Sequence, residues 1–211
     1  MPGTSSSDEA PPKIALLGGT FDPPHIGHLV LGECVRHQFG LEKVVFLPAG
    51  DPYRKAGRRV TPALQRLEMV RLATSSNAAF EVDDREVRRA GPTYTVETLE
   101  SFRAQGVQRP LLVLGSDAVA DMPNWKSPER LLELCRLVVA MKPGALAQWP
   151  EFVRPAPEIV DMPLLAISGT EIRARVAAGK PIRYLVPDAV GQYIRDHGLY
   201  LDRPALAGTA D

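Results

Sequence analysis

The sequence predicts an α/β protein: a doubly wound parallel sheet with helices on both faces and a small C-terminal helical part. Three observations carry this reading. Short apolar runs alternate with longer segments whose apolar residues recur at helical spacing, the pattern of strand, crossover helix and next parallel strand. Several of these runs end at Gly or Pro, and the unusual residues cluster directly after strand ends, where ligands sit in such sheets. The chain has 211 residues, 45% hydrophobic and 24% charged, enough for one core of this kind.

Taken in order, residues 1–12 are rich in Ser, Pro and Gly. They have neither a basic start nor an apolar run, so they read as a disordered leader and not a signal peptide. Residues 13–17 are an apolar strand that opens straight into a glycine pair. Residues 26–39 read as a helix and 43–47 as a second buried strand, ended by Pro48. Residues 62–73 have helical spacing, with Leu64, Leu67, Val70 and Arg71 over successive turns. A brief strand covers 80–82, and a helix covers 95–105 with Thr95 or Thr93 as its cap. Strands follow at 110–114, ended by Gly115, and at 137–141, ended before Lys142-Pro143-Gly144. Two closing helices cover 169–178, stopped by Gly179, and 187–195, stopped near Gly198. The folded domain thus spans 13–201, and 202–211 is a flexible tail.

Lys plus Arg equals Asp plus Glu at 25 each, so no global field draws the chain to nucleic acid or membrane. The mixed run Asp83, Asp84, Arg85, Glu86, Arg88 and Arg89 reads as a solvated surface. Cys34 and Cys135, both in apolar segments, suggest neither a disulfide framework nor a zinc site. No apolar stretch approaches the roughly 20 residues that cross a bilayer. The expectation is a cytoplasmic protein without nucleic-acid or membrane partners, its oligomeric state left open between monomer and homo-oligomer.

The strongest signal runs from Gly18 to His28: Gly-Gly-Thr-Phe-Asp-Pro-Pro-His-Ile-Gly-His. Gly18 and Gly19 let backbone approach a ligand closely, and Thr20, before Phe21, offers a hydroxyl and an amide to a phosphate oxygen. Pro23 and Pro24 stiffen the turn before the helix. His25 and His28, three apart at its start, share one face beside a partly positive helix end that suits phosphate. Two imidazoles there can donate to an α-phosphate as charge grows in the transition state, and Gly27 between them leaves room for a nucleotide. The stretch is neither a Walker loop nor the Gly-x-Gly-x-x-Gly dinucleotide fingerprint.

This segment resembles the signature of the nucleotidyltransferase superfamily that carries His-x-Gly-His, here His25-Ile26-Gly27-His28. The superfamily's second element, a Ser/Thr-rich turn followed by x-Ile-Arg, has its counterpart in Ile167-Ser168-Gly169-Thr170-Glu171-Ile172-Arg173. Ser168 and Thr170 stand at a helix start, and Arg173, one turn in, brings a guanidinium fork. Further stretches are similar to nicotinate mononucleotide adenylyltransferases: Gly91-Pro92-Thr93-Tyr94-Thr95-Val96-Glu97-Thr98-Leu99, Gly115-Ser116-Asp117 followed by Pro123-Asn124-Trp125, Lys142-Pro143-Gly144, and Arg183-Tyr184-Leu185-Val186-Pro187. The similarity covers nearly all of residues 13–201.

The resemblance implies a Rossmann-like fold and transfer of AMP from ATP to nicotinate mononucleotide, giving deamido-NAD and pyrophosphate. It implies ATP binding by Gly18, Gly19, Thr20, Phe21, Gly27, Gly115, Asp117, Ile167, Ser168 and Thr170, with Asp117 on the ribose. The acceptor would meet Thr93, Tyr94, Thr95, Trp125, Lys126, Arg54 and Lys142, with Trp125 under the pyridine ring and amides near Thr95 on its carboxylate. Catalysis would rest on His25, His28, Lys55 and Arg173, with Mg²⁺ held by the triphosphate and not by side chains. The family's Pro-Pro-His-Lys or Pro-Pro-His-Arg reads Asp51-Pro52-Tyr53-Arg54-Lys55 here, leaving Arg54 without a matched role. Lys142 replaces an arginine, and Gly169 replaces a serine or alanine with an effect expected only in the turn. Nicotinamide mononucleotide or phosphopantetheine as acceptor, and a non-catalytic nucleotide-binding module, stay open as alternatives.

Overall fold

The computed structural model describes residues 13–52 and 60–201. The leader at 1–12, the tail at 202–211 and the candidate residues Arg54 and Lys55 lie outside the described residues. Strand β1 (Ile14–Gly19) leads into helix α1 (Ile26–Gln38), then β2 (Lys43–Pro48), α2 (Ala63–Thr74), β3 (Phe80–Val82) and a one-turn α3 (Arg85–Arg88). Helix α4 (Thr95–Ala104), β4 (Leu111–Gly115), α5 (Ser116–Asp121), α6 (Pro128–Leu134) and β5 (Arg136–Ala140) follow. A two-residue β6 (Glu158–Ile159), α7 (Gly169–Ala177) and α8 (Asp188–Asp196) complete the order.

Every strand pair is parallel, in the order β3-β2-β1-β4-β5-β6. The order reverses between β1 and β4, and a crevice opens at the carboxyl ends of such neighbours. Alternation along each strand fills two layers. Leu16, Val45, Leu47, Leu112, Leu114, Leu137 and Val139 pack on one face with Val96, Leu99 and Phe102 of α4 and Leu131 and Leu134 of α6. Ala15, Leu17, Val44, Phe46, Leu111, Val113 and Val138 pack on the other with Val35 of α1 and Val70 of α2. A third cluster joins Met69 and Ala73 of α2, Ile172 of α7, and Val190 and Ile194 of α8. This last cluster fastens the C-terminal helical part beside α2.

The long elements fall within a residue or so of the positions that periodicity predicts. Four elements and a 3₁₀ turn at Met122–Asn124 were not anticipated: α3, α5, α6 and β6. They are two to seven residues long, too short to show a hydrophobic period. Three other readings need correction. Leu64 is 73% exposed, whereas Arg66 is 1% exposed; the inner face of α2 is Arg66, Leu67, Met69, Val70 and Ala73. Helix α4 has neither threonine as its cap: Tyr94 takes that position. The Thr93 hydroxyl instead donates to the Asp51 carbonyl at 3.3 Å. The acidic and basic run after β3 is not all surface, because Glu86 is buried and Arg85 lies 3.6 Å over the Phe102 ring.

Candidate active site

Two hollows open at the carboxyl ends of the central strands. The larger, about 380 Å³, is lined from β1 and α1 by Gly18, Thr20, Phe21, His25, Gly27 and His28. Gly115 closes it at the end of β4, Lys142 after β5, and Ile167, Ser168, Gly169, Thr170 and Arg173 at the start of α7. The two helix starts predicted to share one ligand therefore face one cleft.

The imidazoles are held by their own turn. The His25 N–H donates to His28 Nδ1 at 3.1 Å, which puts the proton of a neutral His28 on Nε2. The rings stack with centroids 3.7 Å apart, and Phe21, 2% exposed, meets His28 edge-on at 4.9 Å. The phenyl ring is thus a support for the imidazole. Burial lowers the His25 pKa to about 4, so this ring is neutral near pH 7. Among the described residues, no hydrogen-bond partner meets its buried Nδ1. A Cβ on Gly27 would come within 3.1 Å of that same nitrogen. Of the first N–H groups of α1, that of Ile26 is already taken by the Leu185 carbonyl at 3.0 Å.

At α7, Ser168 is the cap and its hydroxyl accepts from the Glu171 N–H at 3.2 Å. Arg173 donates to the Asp22 carbonyl at 2.7 Å and to the Thr170 hydroxyl at 3.2 Å. Gly169 is tied to the same place: a Cβ there would sit 2.8 Å from the Asp22 carbonyl oxygen. Its consequence is wider than the turn, for it lets α7 press on the first motif.

The sequence reading overlooked Arg66, which organises the loops behind the cleft. Its guanidinium donates to the carbonyls of Thr20, Gly50 and Thr61 at 2.7, 2.8 and 2.8 Å. One buried side chain thereby joins the loops after β1 and β2 to the start of α2. The signal was present: Arg66, Met69, Val70 and Ala73 lie at i, i+3, i+4 and i+7, so an arginine occupies an apolar stripe.

The second hollow, about 240 Å³, is lined by Gly18, Gly19, Thr20, Leu47, Thr93, Thr95, Thr98, Leu114 and Trp125, among others. Trp125 is oriented by its indole N–H, which donates to Asp121 at 3.2 Å. Helix α4 begins at this wall with Thr95 and no side-chain cap, so its first amides border the hollow. Glu86 also lines it. Thr98 Oγ1 donates to Glu86 at 2.7 Å, and burial, the largest influence, raises the Glu86 pKa. Periodicity gave no hint of Glu86, since α3 is a single turn.

Gly18 and Thr20 line both hollows, which adjoin at the end of β1. Three residues expected at the acceptor are not among the described lining residues of the Trp125 hollow. Lys142 lines the histidine cleft and pairs with Asp117 at 2.6 Å. Lys126 pairs with Glu97 at 2.6 Å and lies 4.5 Å over the Tyr94 ring; neither Lys126 nor Tyr94 is among the described lining residues of the Trp125 hollow. Among the described residues, no three His, Cys, Asp or Glu side chains cluster as a metal cage, and no helix is long and apolar enough to cross a membrane.

Known proteins share the sequence and fold of this chain. The family described as cytidylyltransferase-like matches residues 16–175. A probable nicotinate-nucleotide adenylyltransferase of Desulfitobacterium hafniense is 46% identical over 202 residues, covering 90% of this chain and 97% of that protein. One of Roseiflexus is 45% identical over 193 residues, covering 89% and 97%. The Plasmodium falciparum nicotinic acid mononucleotide adenylyltransferase solved with NaAD superposes with a TM-score of 0.75 at 18% identity, covering 90% of this chain and 97% of that one. At that identity the superposition speaks for the fold.

Proposed function

The chain belongs to the cytidylyltransferase-like family and, within it, to the nicotinate-nucleotide adenylyltransferases, and on that premise we propose how its two hollows divide the work. The enzyme transfers AMP from ATP to nicotinate mononucleotide, forming deamido-NAD and pyrophosphate. ATP lies in the histidine cleft, and the acceptor places its pyridine ring against Trp125. The single observation that carries this division is the adjoining of the two hollows at Gly18 and Thr20. There an acceptor phosphate and the α-phosphate can meet.

The reaction is an in-line displacement. An oxygen of the acceptor's 5′-phosphate bonds to the α-phosphorus, the bond from that phosphorus to the β-bridging oxygen breaks, and pyrophosphate leaves. The attacking phosphate is already an anion, so the enzyme's task is to position reactants and stabilise charge. His28 Nε2–H and the neutral His25 ring are donors to the α-phosphate. Arg173 and the N-terminal amides of α7 receive the departing pyrophosphate, and Lys55 is proposed to add a second cation. Asp117 keeps its proposed contact with the ribose, with Lys142 beside it. Thr93 and Thr95 bring the start of α4 to the pyridine carboxylate, whose oxygens accept from amide donors; a carboxamide NH₂ would oppose them.

The donors at the cleft are imidazoles, hydroxyls, an ammonium and a guanidinium, a set suited to the triphosphate oxygens that would carry a divalent ion in. When bound, Mg²⁺ supplies charge neutralisation across the phosphates. Cytoplasmic placement, where ATP is available and the thiols stay reduced, belongs to the same reading.

The test is pyrophosphate release from ATP with nicotinate mononucleotide, nicotinamide mononucleotide or phosphopantetheine, compared as kcat/KM. Nicotinate mononucleotide should be preferred; an equal or higher value with either alternative overturns the acceptor assignment.

A further inference from the structure

Asp22 lies in the first motif, yet the functional reading gives it no role. It is 7% exposed and joins three distant parts of the chain. Its main-chain carbonyl accepts from Arg173 at 2.7 Å and faces Gly169. One carboxylate oxygen accepts from the Thr61 N–H at 3.3 Å, just ahead of α2. The other accepts from the hydroxyl of Tyr200 at 2.7 Å, 178 residues further along the chain and beyond α8.

We propose that Tyr200 is a positioning residue for the transfer, acting through Asp22 to fix the His25 turn and Arg173 relative to each other. This rests on the reading that His25 and Arg173 serve the triphosphate.

Among the described residues, no cationic group stands within ion-pair distance of the Asp22 carboxylate; the nearby Arg66 guanidinium is spent on three carbonyls. The Asp22 carboxylate thus takes its hydrogen bonds from two neutral donors, with the Arg66 charge nearby but its N–H groups turned elsewhere, and losing one donor leaves an oxygen poorly solvated. The carboxylate would then turn toward other donors or water, carrying the peptide that holds Arg173 and precedes Pro23-Pro24-His25. The phenol is suited to its part. Burial, and then the charge of Asp22, raise its pKa, so it remains a proton donor at working pH. Its backbone is left-handed, φ 62°, a conformation that a non-glycine residue keeps where its surroundings dictate it. The ring packs with the α2, α7 and α8 cluster, so Tyr200→Phe keeps the packing and removes the hydroxyl alone.

The experiment measures pyrophosphate release by Tyr200→Phe, Asp22→Ala, the double variant and Arg173→Ala, well below the unfolding midpoint of each, with urea unfolding alongside. Tyr200→Phe should lower kcat about tenfold, with the acceptor KM within twofold of the parent, since Trp125 and Thr95 do not touch Asp22. The double variant should be no slower than Asp22→Ala, because the phenol then keeps only its bond to the Thr61 side chain and no longer reaches the turn before His25. A Tyr200→Phe enzyme that loses stability but keeps kcat within twofold, while Arg173→Ala is inactive, overturns this inference alone. Losses that multiply in the double variant also overturn it. An Arg173→Ala enzyme of normal turnover overturns the functional reading and this inference with it.

Discussion

Among individual residues, His25 bears the most specific expectations. Its pKa in the folded protein lies near 4, below the ordinary 6.5, because burial disfavours the cation. Between those values the unfolded chain binds a proton that the folded chain refuses. His25 therefore contributes its full stability above about pH 6.5 and loses it as pH falls toward about 4, a change of up to about 3 kcal/mol. Urea unfolding at pH 7 and pH 4.5 measures this, and His25→Asn should flatten the dependence. In turnover, His25→Ala or His28→Ala should each lower kcat by about 10²–10³, as for one lost transition-state donor. Near-normal kcat in both would remove the proposed centre. Glu86 has the opposite sign. Its raised pKa means that its contribution is present below the ordinary carboxylate range and is lost as pH rises through the folded value. Glu86→Gln, which keeps an acceptor for Thr98, should gain stability relative to the parent as pH rises from 5 to 8. A constant difference would refute the buried-acid reading.

At the level of elements, helix α2 teaches most about what the sequence reveals. Its existence and extent follow from periodicity, as do those of α1, α7, α8 and the central strands, because each buries a regular stripe or alternation. Its inner face was misjudged, since Leu64 looks like core and Arg66 looks like surface. Hydrophobicity ranks those side chains by transfer to an apolar phase, whereas Arg66 is buried against three carbonyls that satisfy it. Arg66→Met should lower stability by about 3 kcal/mol or more, because three buried acceptors lose their donor. Arg66→Lys should recover little of this, one ammonium being unable to span three segments. Unfolding midpoints of both variants check it. Within each motif the cleft residues were legible because their spacing is local, His25, Gly27 and His28 in one and Ser168, Thr170 and Arg173 in the other; that the two motifs share a cleft was what the family resemblance implied. Glu86, the Lys142–Asp117 pair and the Lys126–Glu97 pair were not legible. Each depends on contacts between segments brought together only by the parallel sheet, and α3 is too short to announce itself.

Across the whole molecule, the C-terminal helical part is structurally inseparable from the cleft. Val190 and Ile194 are buried against Met69, Ala73 and Ile172, and the same region sends the Leu185 carbonyl to Ile26 and the Tyr200 hydroxyl to Asp22. Ile194→Ala should cost about 3 kcal/mol and lower the temperature at which activity is lost, measured by thermal unfolding and residual turnover after heating. If residual turnover after heating matched the parent's while unfolding shifted, the C-terminal part would be a separate unit.

The shared Gly18–Thr20 backbone has one more consequence. On the proposed division of the two hollows, a finished dinucleotide would reach over that sill with one half in each, a two-handed grip that neither starting mononucleotide can match. Letting go then becomes the slow act of the cycle, and a single-turnover burst of pyrophosphate should precede the steady rate.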